Sequence, residues 1–335
     1  MTATNSPITP VPVVLDCDPG VDDAMALLWG IASPRVDLVA ITTVWGNVSV
    51  DLTTENALRL LEIGGAAGIP VAKGARKPLL GPEPDFTELI HGADGQGDTF
   101  LPPAAQQADE LSGPDLLVKL AHERPGELTL VAVGPLTNVA IALTRDPEIA
   151  RLFKGITIMG GAFQVPGNVS SVGEANIWHD PEAAQIVLEA GWPITIVGLD
   201  VTEHARVTET MLRELRDLGS RAGVHLQRIS DGYLNIYAGR YGTAERQCPM
   251  HDALALGIAV DPTLIDYAPK LKVDVELAGS VTRGMTVADL RSWAKPELAN
   301  AHVVLKAHGD RYVHEWMETM KGLVRERVTD ALSEA

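Results

Sequence analysis

From Val11 to Leu15 an unbroken apolar run leads into Pro19-Gly20, and an apolar pattern of helical period follows from Ala24 to Ile31. That order predicts a buried strand, a turn and a helix. The alternation recurs. Residues 36–44 read as a second buried strand closed by Trp45-Gly46-Asn47, with a helix over about 52–63. Residues 127–133 read as another strand, broken by Gly134-Pro135 ahead of a helix at 137–144, and 155–159 and 194–199 read as two more. Strands alternating with helices imply an α/β fold of Rossmann-like type, a mostly parallel central sheet with right-handed crossovers and helices on both faces.

Between Gly74 and Gly113 the pattern breaks, and Pro and Gly cluster around His91-Gly92-Ala93-Asp94-Gly95. A long glycine-rich loop near a ligand edge is usually functional. From about 207 to 261 the pattern is helical, with Tyr233, Tyr237 and Tyr241 spaced as a stripe that fits either packing or a binding wall. The tail alternates short strands (272–277, 302–305) with an amphipathic helix over about 310–330. No linker divides the chain, so residues 11–335 are expected to form one large domain behind a flexible tail of residues 1–10. The only internal echo is Gly-Asn-Val-Ser, at 46–49 and at 167–170.

Composition narrows the class. A chain of 335 residues, 46% hydrophobic, can bury a large core without staples, and its two cysteines, Cys17 and Cys248, give no disulfide framework. A reducing cytoplasm is expected, because the N-terminus shows neither the basic nor the apolar region of a secretory leader, and no apolar run is long enough to span a membrane. The formal charge of −17, with no Lys/Arg-rich run, argues against a nucleic-acid partner.

The chemistry starts at the first strand's end, where Asp16, Asp18, Asp22 and Asp23 fall within eight positions. Placed together in the strand-to-helix turn, they repel one another unless a cation or shared protons compensate. As helix-start acids, each would be worth only about 0.3–1 kcal/mol. Oxygen ligands favour a hard cation, calcium or magnesium, with calcium preferred if carbonyls complete the shell. No Gly-x-Gly-x-x-Gly follows a strand and no P-loop occurs, which disfavours redox and kinase roles. Asp16-x-Asp18 is similar to the start of the haloacid-dehalogenase phosphatases, but Gly20 stands where they carry Thr or Val. Amides and carboxylates recur at the other strand ends: Asn47, Thr137-Asn138, Asn168, Glu174, Asn176 and His251-Asp252. In an open α/β sheet such ends converge on one pocket, and this mixture suits a hydroxyl-rich ligand such as a sugar.

Asp16-Cys-Asp-Pro-Gly-Val-Asp-Asp-Ala24, Thr42-Thr-Val-Trp-Gly-Asn47, His91-Gly-Ala-Asp-Gly95, Val133-Gly-Pro-Leu-Thr-Asn138, Met159-Gly-Gly-Ala162, Gly167-Asn168, Glu174-x-Asn176 and His251-Asp252 run in order over nearly the whole chain. This string resembles the inosine–uridine preferring nucleoside hydrolases. The resemblance implies the nucleoside hydrolase fold, ribonucleoside substrates, hydrolysis of the N-glycosidic bond to base and ribose, and a homodimer or homotetramer. It also implies a Ca2+ ion held by the side chains of Asp18, Asp23 and Asp252 and the carbonyl of Val133. Asp22, Asn47, Asn168, Glu174 and Asn176 would hold the ribose, with Asp16 behind the ligands. Asp18 would then be the general base toward the attacking water, His251 the acid toward the departing base, and His91 a neighbour of the base.

Two features depart from the pattern. Ala175 stands where many relatives carry an aromatic residue, which opens one wall of the base pocket, and Trp45 fits either that space or the core. A metal-dependent phosphatase and a non-catalytic nucleoside-binding protein remain as alternatives. Phosphate release from nucleotides would reveal the first, and the presence of both Asp18 and His251 argues against the second.

Overall fold

A computed structural model describes residues 9–84, 86 and 89–333, with side chains described up to residue 322. Residues 1–8, most of the expected N-terminal tail, lie outside it. The chain opens with β1 (Val11–Cys17), α1 (Val21–Ala32), β2 (Val36–Thr43), α2 (Val50–Gly64) and β3 (Val71–Lys73). After the glycine-rich loop come α3 (Gly113–Glu123), β4 (Thr129–Ala132), α4 (Thr137–Arg145), β5 (Gly155–Met159) and β6 (Ile194–Val197). The β3 strand, only three residues long, carries too little pattern to be read from sequence.

These strands form one sheet with Ala301–Val304 beside β6 and Lys270–Leu271 at the edge, in the order Lys270–Leu271, Ala301–Val304, β6, β5, β4, β1, β2, β3. Every pairing is parallel except that of the Lys270–Leu271 edge. From β1 the chain builds outward to β3, then restarts at β4 on the other side of β1. The strand order therefore reverses between β1 and β4, the point at which open α/β sheets bind ligands at their carboxyl ends.

Alternation along β1 shows why the sheet is covered twice. Val13, Leu15 and Cys17 enter one apolar layer, with α1, α2 and the helices Arg221–Tyr241 and His251–Val260. Val14 enters the other, with α3, α4 and Pro181–Glu189. Register then aligns the strand ends, with Cys17 opposite Thr43 and Asp16 opposite Ala132. The expected α/β fold with a mostly parallel sheet is the observed one.

Some boundaries differ from the sequence reading. The first helix starts at Val21, so Asp22 and Asp23 belong to its first turn while Asp16 lies within β1, leaving only Asp18 in the turn itself. Asp23 reaches back to accept the Gly20 N–H at 2.9 Å, a capping contact that starts the helix early. The 207–261 region divides into helices Glu209–Asp217, Arg221–Tyr241 and His251–Val260, with a short strand Gln247–Pro249 paired to Arg206–Thr208.

Candidate active site

At the switch point, the segments after β1, β2 and β4 meet around one carboxylate. Asp18 is almost fully buried, and its Oδ2 accepts the Asn47 N–H at 2.7 Å. Backbone approaches on both sides: a Cβ at Gly46 would lie 2.1 Å from Asp18 Oδ2, and one at Gly134 2.6 Å from Oδ1. These two glycines are therefore steric requirements of the acid. The Asn47 amide donates to the Asp18 carbonyl and to Asp23 Oδ2, both at 3.1 Å. Asp23 Oδ1 in turn accepts the Asp18 N–H at 3.1 Å.

Above this floor opens a cavity of about 540 Å³. Asp18, Asp22, Asn47, His91, Val133, Asn168, Glu174, Asn176, His251 and Asp252 all line it. Asp23 does not; it lies beneath, grouped with Asp22 and Asp252. The two Gly-Asn-Val-Ser loops thus each deliver an asparagine, Asn47 and Asn168, to the same cavity. Glu174 caps the helix Ala175–His179, accepting N–H groups from Gly161, Asn176 and Ile177. The Asn176 amide donates to the carbonyls of Val133 and Met159, at 2.9 and 3.1 Å.

The donors fit a hard cation. Carboxylate oxygens of Asp22, Asp23 and Asp252, all buried, lie within 4.8 Å of one another. Asp18, expected among the ligands, lies outside that trio, with its Oδ2 on the Asn47 N–H. Among the described residues, Arg240 is the one Lys or Arg side chain that lines the cavity. With so little positive charge at hand, burial and then Asp23 hold Asp18 well above the usual carboxylate range, and burial and then Asp22 do the same to Asp252. Burial and then Asp23 raise Asp22 to about 8, and burial raises Asp23 to about 6.

The histidines behave oppositely. Burial lowers His251 to about 4 and His91 to about 3, so both rings are neutral at pH 7. His251 is fixed at Nδ1 by Thr202 Oγ1, 2.7 Å away, and its Nε2 lies 3.3 Å from the Tyr237 hydroxyl. His91 Nδ1 accepts the Val21 N–H at 3.1 Å, which ties the glycine-rich loop to the start of α1.

Asp16 lies behind the cavity. Its Oδ1 accepts from Thr42 at 2.5 Å and from Asn138 at 2.7 Å, Oδ2 has no partner, and burial raises it to about 7. Trp45 is a core residue that donates to Thr137 Oγ1 at 3.2 Å and stays out of the cavity. The tyrosine stripe is split: Tyr233 and Tyr237 are buried and line the wall, whereas Tyr241 binds Glu203 and sits under Arg206. Sequence reasoning missed Thr202, Phe86, Trp178 and Arg240. None belongs to a motif; folding brings Phe86, Trp178 and Arg240 to the cavity and Thr202 to His251.

Fold and site together define a class: an open α/β-sheet protein whose switch-point pocket offers clustered carboxylates and amides to a cation and a hydroxyl-rich ligand. Comparison with known proteins narrows it. The profile of the inosine-uridine preferring nucleoside hydrolases matches residues 13–314, and the chain belongs to that family. It is 37% identical over 306 residues to the inosine-uridine preferring nucleoside hydrolase of Leishmania major, covering 90% of this chain and 95% of that one. It is 39% identical over 289 residues to uridine nucleosidase 1 of Arabidopsis thaliana, covering 84% and 83%. The solved structure of a plant nucleoside hydrolase superposes with a TM-score of 0.88 at 36% identity, over 93% of this chain and 99% of that one. The chain is accordingly an enzyme, an N-ribosyl hydrolase, of a metal-dependent family.

Proposed function

We propose that the enzyme hydrolyses the N-glycosidic bond of ribonucleosides of the inosine and uridine type to free base and ribose, with calcium as its metal. The observation that carries this reading is the convergence in one cavity of Asp22 and Asp252, grouped with Asp23, and of Asn47, Asn168, Glu174 and Asn176. Calcium accepts six to eight oxygens in loose geometry, which suits carboxylates spread over α1 and the helix His251–Val260 together with the Val133 carbonyl. When bound, the ion supplies Lewis acidity toward water and toward vicinal sugar hydroxyls.

This chain's own residues do the rest. Asp18 accepts a proton from the attacking water, whose oxygen bonds to the anomeric carbon as the bond to the base nitrogen breaks. Asp22, Asn47, Asn168, Glu174 and Asn176 hold the sugar hydroxyls, and the carboxylates stabilise the positive charge that grows on the ring. The electron pair leaves with the base, and His251, oriented by Thr202 and backed by Tyr237, gives the base nitrogen a proton as imidazolium and ends as the neutral ring that burial favours, so it takes up a proton from solvent before each turnover.

Two free, buried cysteines support work in a reducing compartment such as the cytoplasm, in nucleoside salvage or catabolism. Among the described residues no helix is long and apolar enough to cross a membrane. The resemblance supports a homodimer or homotetramer. Release of ribose from inosine and uridine, measured with calcium and after exhaustive EDTA treatment, tests the reading. Retention of full activity in metal-free protein would refute the metal, and no ribose from either nucleoside would refute the substrate class.

A further inference from the structure

Trp178 is placed unlike the chain's buried tryptophans. Trp29, Trp45, Trp192 and Trp316 are each at most 4% exposed, whereas Trp178 is 45% exposed on the wall of the cavity. The short helix that carries it has its inner side committed: Glu174 caps it, the Asn176 amide reaches the Val133 and Met159 carbonyls, and Ile177 is buried. Residues 175 and 178, three apart, share the side left over, and both line the cavity. Ala175 leaves room there that the Trp178 ring can use.

The ring is also held. A Cβ at Gly173 would come within 3.0 Å of Trp178 Cδ1, and one at Gly284, where φ is +83°, within 2.9 Å. Gly173 accepts the Asn168 N–H, so it belongs to the loop that presents a sugar-site asparagine. Gly284 belongs to the turn between strands Val273–Val275 and Thr286–Ala288. The His179 ring meets the indole edge-on at 5.7 Å. A ring braced in this way loses little freedom when a ligand covers it.

We infer that Trp178 is the specificity-determining wall of the base site: its indole stacks on the base of the bound nucleoside, in the space Ala175 leaves, and favours the larger face of a purine. The inference rests on the nucleoside reading above. Aromatic side chains stack on every base, and the gain rises with the overlapping area.

The test compares wild type, Trp178→Ala and Trp178→Phe, all loaded with calcium, on inosine and uridine, with free ribose as a competitive probe of the sugar site. Trp178→Ala should raise KM for inosine about tenfold and for uridine less. Inhibition by ribose should be unchanged, and Trp178→Phe should recover most of the inosine KM. An unchanged KM on both nucleosides would overturn the assignment. So would an equal rise on both accompanied by weaker ribose inhibition, because Trp178 would then only be supporting its helix. A second measurement is independent of turnover. In a Trp293→Phe background Trp178 is the one exposed tryptophan among the described residues. Hypoxanthine should then shield the exposed emission from acrylamide, and no shielding overturns the stacking. If wild type cleaves neither nucleoside, the functional reading falls, and this quenching measurement still decides whether Trp178 stacks on a base.

Discussion

Asp18 carries two demands that conflict in the absence of a cation. As a base it must be ionised, yet burial and the neighbouring Asp23 charge favour its protonated form. A positive charge in the Asp22–Asp23–Asp252 cluster resolves the conflict, and this links metal to base at the scale of one side chain. His251 differs, since burial favours its neutral form, so its acid role requires the ring, fixed by Thr202 and Tyr237, to take up a proton before the base departs. Its acid role has a signature, because general acid catalysis, typically 10²–10⁴-fold, matters only when the leaving group is poor. His251→Ala should lose most activity on inosine and keep most on 4-nitrophenyl riboside, whose phenolate departs without a proton. Asp18→Asn should lose activity on both. Equal losses on the two substrates in His251→Ala would make His251 a support for Asp252 instead.

At the scale of elements, the site depends on how closely backbone can approach. β1, β2 and β4 end side by side, and the turns after β2 and β4 press Gly46 and Gly134 against the Asp18 carboxylate. Gly46→Ala is expected to push that carboxylate aside, since the new Cβ would begin 2.1 Å from Oδ2. A displacement of about 1 Å can cost about 10²-fold in rate. The expected result is a loss of that order in kcat with native circular dichroism, because the strands themselves are untouched. Wild-type turnover in Gly46→Ala would show that the carboxylate moves freely.

For the whole molecule, the acid cluster makes stability depend on metal and pH together. Asp22 and Asp16, at about 8 and about 7, bind protons more tightly in the folded chain than an ordinary carboxyl does. Stability from a raised acid is fully present below the unfolded pKa and is lost as pH rises through the folded one. The buried histidines act below pH 6.5, where protonation opposes folding, so the carboxylates dominate between pH 6.5 and 8. Metal-free protein should therefore melt at lower temperature at pH 8 than at pH 6.5. Calcium should remove most of that dependence, adding about 2.7 kcal/mol at a hundredfold excess over its dissociation constant. Differential scanning calorimetry across this window checks both, and a pH-independent melting temperature in the metal-free protein would refute the uncompensated cluster.

What the sequence by itself determined was periodic or local. The α/β alternation, the strands at 36–44 and 155–159 and the carboxylates at a sheet edge were legible because short apolar runs, Pro-Gly breaks and crowded acids leave marks within a few residues. The tertiary structure decided what depends on approach between distant segments. It grouped Asp22 with Asp23 and Asp252 while Asp18 leaned on Asn47, and it sent Trp45 to the core but Tyr233 and Tyr237 to the wall. It also brought Thr202 to His251 and set Trp178 beside the gap left by Ala175. None of these contacts has a sequence period, because each arises where the carboxyl ends of separate strands, and the helices packed over them, are carried to the one point at which the strand order of the sheet reverses.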